Sequence, residues 1–294
     1  MLTLAFLAQT FRIAIPYLFA SAGGVVSERV GLIALTLEGY LLGGAFCAIL
    51  GTEMSGSPWV GVVAGMAGGA ALALLYAVCA IRFKANQVIV GVAINLLVIG
   101  LTRFFLRLFY DSSSNSPRVE GFTVEQSGTG IVALAQNPLV WLGIVAVVTL
   151  GWMLYRTRFG LRIRAVGEHP QAAASVGVPV DRIRYLAAAL SGAVAALGGV
   201  YLALDQHQFT DGMSAGRGFI ALAAVIFGRW DPARVALACF LFAAAETLQI
   251  QLQGAQAIPS QFVEMIPYAL TIVALATVVG RTAAPAALGK TAEQ

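Results

Sequence analysis

The chain has 294 residues, 59% hydrophobic and only 11% charged, with a formal net charge of +4. A soluble domain carries about a quarter of its residues charged, so this composition, with a mean hydropathy of +0.83, excludes a water-exposed globular protein and requires lipid as solvent. The basic residues lie in gaps between apolar stretches, without interleaved aromatics; that excludes a nucleic-acid surface and fits the charge bias that orients membrane proteins.

A spanning helix needs about 20 mostly apolar residues. Segments at 4–26, 30–52, 58–81, 88–109, 138–155, 185–204, 214–228, 234–252 and 263–280 predict an all-α, polytopic membrane helix bundle of about nine segments, with room for broken helices and inverted repeats. Residues 1–281 form the transmembrane domain in this reading, and 282–294 a disordered tail. Arg12 and Pro16 leave open an interfacial piece and a short helix within the first segment. Phe219–Phe227 is too short to cross alone, so the seventh segment reads as a crossing helix or as a half-helix; in the second case everything after it inverts.

Gly61, Gly65 and Gly69 recur on one helix face, as do Gly39 and Gly43, a spacing that lets helices approach closely. Cys47, Cys79 and Cys239 are scattered through apolar runs and read as buried hydrophobes. The N-terminus shows no basic region followed by a small-residue cleavage site, so a removable signal peptide is not expected. The loop 111–137, rich in Ser and Gly, reads as a solvated connector, with a lid or docking surface as the alternative. Arg29–Leu35 and Arg217–Leu222 resemble each other as a short repeat whose halves start on opposite faces. Gly289-Lys290-Thr291 lacks the earlier glycine of a phosphate-binding loop, Ala284 standing there instead.

Residues 156–184 form the one long polar interruption, with six arginines and two acids. Within it Pro170 suits a first helical position, Gln171–Val176 is a small-residue helical run, and Gly177 with Pro179 ends it. This is the shape of a docking knob at a membrane face. If the loop is cytoplasmic, alternation places 13 of the 18 basic residues inside, with the N-terminus external and the C-terminus cytoplasmic.

Ionisable and amide groups inside spans are functional candidates. Glu38, among glycines, either lines a pathway or pairs with a neighbouring helix; Asn95 either contacts a solute or bridges helices. Glu246 and Glu264 read as interfacial, and Asp205 with His207 as part of an outer loop. The only histidines, His169 and His207, fall on opposite faces, and no nucleophile–base arrangement is visible, so neither a metal site nor an intramembrane enzyme is expected.

The stretches ERVGLIALTLEGYLLGGAF (28–46), FKANQVIVGVAINLL (83–97), GLRIRAVGEHPQAAASVGV (160–178) and GRGFIALAAVIFGRWDP (216–232) resemble the inner-membrane permeases of bacterial ABC importers. The resemblance is to the branched-chain amino acid and ribose superfamily, in its simple-sugar and nucleoside branch. It implies a passive half-channel in the bacterial cytoplasmic membrane, paired with a second permease that is often a different chain. A cytoplasmic ABC ATPase would dock below and an external substrate-binding lipoprotein would deliver solute. Mg-ATP would bind the ATPase, leaving this chain without a cofactor. Carried over by position, the ATPase-coupling element is Glu168, His169, Pro170, Gln171, Ala172, Ala173, Ala174, Ser175, Val176 and Gly177, while Glu38 and Asn95 are candidate contacts to the translocation path. The family often has Asn where His169 stands, and its Ala34–Thr36 region differs, which leaves the cargo open between a nucleoside and a simple sugar. An ion-coupled transporter or a non-transporting scaffold are the rival expectations, separable by whether uptake needs an ATPase and whether any solute moves at all.

Overall fold

The computed structural model describes residues 2–122, 135–253 and 284–290; the expected ninth segment, 263–280, lies outside them. Ten helices follow in order among the described residues: α1 (Leu2–Arg29), α2 (Leu37–Ser55), α3 (Pro58–Ala77, continued by a π-helical turn at Val78–Arg82), α4 (Gln87–Tyr110), α5 (Pro138–Arg156), α6 (Arg158–Glu168), α7 (Pro170–Ser175), α8 (Val180–Gln206), α9 (Arg217–Phe227) and α10 (Pro232–Gln253). Their starts follow local chemistry. Asn86 caps α4 by accepting from the Val88 and Ile89 amides, and Asn137 accepts from Leu139 ahead of α5. Pro58, Pro138 and Pro170 occupy first-turn positions, where the missing N–H costs nothing.

The all-α class is as expected; the count of about nine segments is not confirmed, since the ninth lies outside the described residues. Among the described residues six helices qualify as spans by length and apolarity: α1, α3 with its π turn, α4, α5, α8 and α10. Segment 30–52 becomes helical only at Leu37, because Gly31 at φ +94 carries the backbone out of the helical region and leaves 30–36 irregular. Segment 214–228 supplies only the 11 residues of α9, about 16 Å of rise and half a bilayer core. The first segment is one continuous helix through Pro16, not two pieces.

The helix α8 is the axis. Its apolar window is 72% buried, against 28% for α4 and α5, which present their outer faces to the surroundings. It reaches that position through glycine. A Cβ on Gly199 would lie 1.8 Å from the Leu41 carbonyl oxygen, and one on Gly69 would lie 2.3 Å from that of Gly192, so α2, α3 and α8 meet backbone to backbone. The sequence spacing at Gly61, Gly65 and Gly69 does mark this seam: Gly61 faces Thr52 and Ala48 of α2, and Gly65 faces Gly44 of α2 and Val200 of α8.

Two polar segments are held by backbone hydrogen bonds. Residues 111–122 do not hang free: Ser116 and Val119 donate to the carbonyls of Phe209 and His207, and Asp211 donates back to Ser114. The tail expected to be disordered forms a turn at 284–290 in which Pro285 and Ala287 are buried. Hydrogen bonds to Gly31 and Gly167 hold it there, something local hydropathy does not encode.

Candidate functional site

Two broken elements meet inside the bundle. Leu37, which opens α2, packs beside Gly24 of α1, about 7 Å of helix rise from the end of α1. The irregular chain 30–36 leading to it would expose backbone polar groups at lipid depth, which is tolerated only when protein satisfies them. Here side chains do so. Gln87 accepts from Ile33 N at 2.8 Å, Tyr76 donates to the Ile33 carbonyl at 2.8 Å, and Glu28 accepts from Ala34 N at 3.3 Å. Asn95 donates to the Leu35 carbonyl at 2.8 Å while its Oδ1 accepts from Gly39 N at 2.9 Å.

The second broken element runs the other way. The chain descends irregularly from the end of α8, and α9 starts next to the first turn of α2. Glu38 lies between the two helix starts: Oε1 accepts from Gly216 N at 2.9 Å and Oε2 from Gly218 N at 2.7 Å. These are amides with no partner inside α9, and the carboxylate also sits in the first turn of α2, so both positive helix ends favour its charge. The far end of α9 reaches the end of α1, where the Trp230 indole donates to Glu28 at 2.5 Å and Arg29 Nε donates to the Trp230 carbonyl at 3.1 Å. The two half-elements are therefore opposed in direction, as an inverted arrangement requires. The short sequence match itself is out of register, because Arg29 ends a helix whereas Arg217 begins one.

Both candidate path residues thus fall at one junction. Glu38 is 8% and Asn95 6% exposed, and each has its polar atoms engaged by backbone. Sequence reasoning missed Glu28, Gln87 and Tyr76. The available signal was a glutamate at 28 joined without a break to an apolar run.

Glu246 joins α1, α9 and α10. It accepts from Arg217 at 3.1 Å and from the Tyr17 hydroxyl, while Arg217 also donates to the Met213 carbonyl. The two side chains are 22% and 18% exposed. Removing one partner of such a pair costs more than removing both. Glu246→Leu should therefore lower the yield of monodisperse detergent-purified protein more than the double replacement Arg217→Met/Glu246→Leu, and equal losses would show the pair to be inert. Elsewhere Arg12 of α1 pairs with Asp205 of α8 at 2.7 Å and Arg103 of α4 with Asp211 at 2.8 Å, both arginines largely exposed.

The polar loop carries the second feature. Thr157 caps α6, and α6 is jammed at its end against α1: a Cβ on Gly167 would lie 2.0 Å from the Arg29 carbonyl oxygen. From this fixed base α7 projects. Ala173 is its one buried residue, while Gln171, Ala172, Ala174, Ser175 and Val176 are exposed, and Gly177 at φ +83 ends the turn. The helix and its end are where the sequence put them.

A family model described as the branched-chain amino acid transport system permease component matches residues 6–275. The guanosine ABC transporter permease protein NupQ of Bacillus subtilis (strain 168) is 38% identical over 294 residues, covering 94% of this chain and 92% of its own length. The nucleoside ABC transporter permease protein NupC of Lactococcus lactis subsp. cremoris (strain MG1363) is 35% identical, covering 93% and 92%. A second guanosine ABC transporter permease protein of Bacillus subtilis, NupP, is 22% identical, covering 89% and 78%.

Proposed function

The chain belongs to the branched-chain amino acid transport system permease family, and on that premise we propose that it is the membrane permease subunit of an ABC importer for nucleosides. The cargo rests on the relatives with 35–38% identity, which carry nucleoside and guanosine permease names. The partner permease is a different chain: Bacillus subtilis has two guanosine permeases, and this chain is far more similar to one than to the other. Energy enters from a separate ATPase docked on 168–177, and an external binding lipoprotein supplies solute. The loop 156–184 and the C-terminus are cytoplasmic, and the membrane is the bacterial inner one.

The observation that carries the docking reading is the exposed face of α7 on a base that cannot yield. A helix whose apolar residues Ala172, Ala174 and Val176 face outward beside a backbone-to-backbone joint is built to receive a push. In the same reading Glu38 and Asn95 serve the path by holding its broken elements in place, and solute selection is left to the external protein.

The test is an affinity pull-down in mild detergent from a host expressing the neighbouring components. Wild type should bring down an ATPase, and a chain with Gln171–Val176 replaced by Gly and Ser should not. Absence of an ATPase from both preparations would end the importer reading. Uptake of labelled guanosine into vesicles, set against uptake of ribose, checks the cargo.

A further inference from the structure

The tail turn Pro285–Lys290 ties together two parts that the transport cycle must move. Ala287 N donates to the Gly167 carbonyl at 2.9 Å, and Gly289 N donates to the Gly31 carbonyl at 3.2 Å. The first acceptor is one of the last carbonyls of α6, which have no partner within their own helix; the second opens the irregular segment 30–36. Ala286 N also approaches Glu168 Oε2 at 3.4 Å, at the root of the α7 knob. Ala287 is 3% exposed, and a Cβ on Gly31 would lie 3.1 Å from its carbonyl oxygen. A six-residue stretch of Ala, Pro, Leu, Gly and Lys thus seals a joint by backbone hydrogen bonds.

From that joint the contacts run on without a gap. Segment 30–36 ends in α2, whose Glu38 holds the start of α9. The end of α9 returns through Trp230 to Glu28 and Arg29, beside Gly167. We propose that the 285–290 turn is a rivet, a positioning segment that makes the base of the coupling knob and segment 30–36 move as one body, so that a push on α7 reaches the Glu38 junction. This rests on the ATPase-docking reading. It differs from an autoinhibitory latch, which would have to let go during transport.

The experiment uses the importer purified with its ATPase, second permease and binding lipoprotein, reconstituted into proteoliposomes, with guanosine uptake measured per ATP hydrolysed. Only a wild-type complex that has retained its ATPase enters the assay, so failure of the docking reading is seen beforehand and separately. Ala287→Asp places an acid in the joint. It should leave ATPase binding intact and lower uptake per ATP by about fivefold or more, the lower range of ordinary coupling free energies. The second arm is the pair Gly31→Cys and Ala287→Cys, whose Cβ separation of 3.6 Å lies within the disulfide range of about 3.5–4.5 Å. Comparing the same protein oxidised and reduced cancels any strain the substitutions introduce, and wild type under the same oxidant controls for its three native cysteines. A rivet predicts uptake per ATP within about twofold in the two states. Unchanged uptake per ATP in Ala287→Asp would overturn the proposal, as would loss of uptake on oxidation, which identifies a latch. Should Ala287→Asp fail to assemble, a chain lacking residues 285–294 takes its place, with the same fall in uptake per ATP expected and unchanged uptake per ATP overturning the proposal.

Discussion

Glu38→Ala should abolish nucleoside uptake and lower the thermal midpoint of the purified protein together. The substitution leaves the Gly216 and Gly218 amides, now bonded at 2.9 and 2.7 Å, without acceptors in a site only 8% exposed. Each orphaned buried amide costs about 1–3 kcal/mol. At about 2–4 °C per kcal/mol for a chain of this size, the midpoint should fall on the order of 10 °C. Glu38→Gln keeps one acceptor oxygen but turns an NH2 group toward the other amide, so it should lie between alanine and wild type. Asn95→Ala should show the same paired loss, since it removes the acceptor for Gly39 N and the donor to the Leu35 carbonyl. Thermal unfolding in detergent, run beside vesicle uptake, separates this from a solute-binding role. A Glu38→Ala protein that melts like wild type yet no longer transports would make Glu38 a ligand of the path and sink the holding role.

How much of this was legible in the sequence depended on distance along the chain. Composition sufficed for the all-α membrane class, because lipid as solvent acts on every residue alike. The α7 knob was legible because Pro170 and Gly177 act within one helical turn of themselves. The shortness of α9 was legible for the same reason, as an apolar run too brief to cross. The junction was not. Glu38 finds its partners 178 and 180 residues away, and no window around it distinguishes a carboxylate facing a solute from one that holds another helix. The tail failed differently: Ala287 and Gly289 dock through their backbones, and backbone hydrogen bonding leaves no trace in hydropathy. Segment 30–36 misled because its side chains are as apolar as those of α2; Gly31 alone signalled that the helix begins late, and in a chain with 32 glycines that signal is weak.

The glycine seam supports the severest expected effect, and an internal control comes with it. Gly199→Ala should leave almost no folded protein, because the new Cβ would lie 1.8 Å from the Leu41 carbonyl oxygen and close to Ala45 N, both backbone atoms of α2. Carbon and oxygen in contact sit about 3.3 Å apart, so α2 and α8 must separate by ~1.5 Å along their crossing. Overpacking a core usually costs about 1–3 kcal/mol when side chains can turn aside; here no rotamer exists to turn. The same separation would open the Gly44 contact with Ala196, one turn along both helices, and would shift α2 away from the level at which Glu38 meets α9. Gly100→Ala is the control. Nothing lies within 4 Å of its Cβ position on α4, and alanine is favoured over glycine inside a helix by about 1 kcal/mol, so its yield should equal or exceed wild type. Both variants carry the same chemical change and the same gain in helix propensity, so a large difference in monodisperse yield by size-exclusion chromatography isolates the backbone contact as the cause. Equal yields would mean that α2 and α8 need not touch for the bundle to form, and the rigid route from knob to junction would then lose its central support.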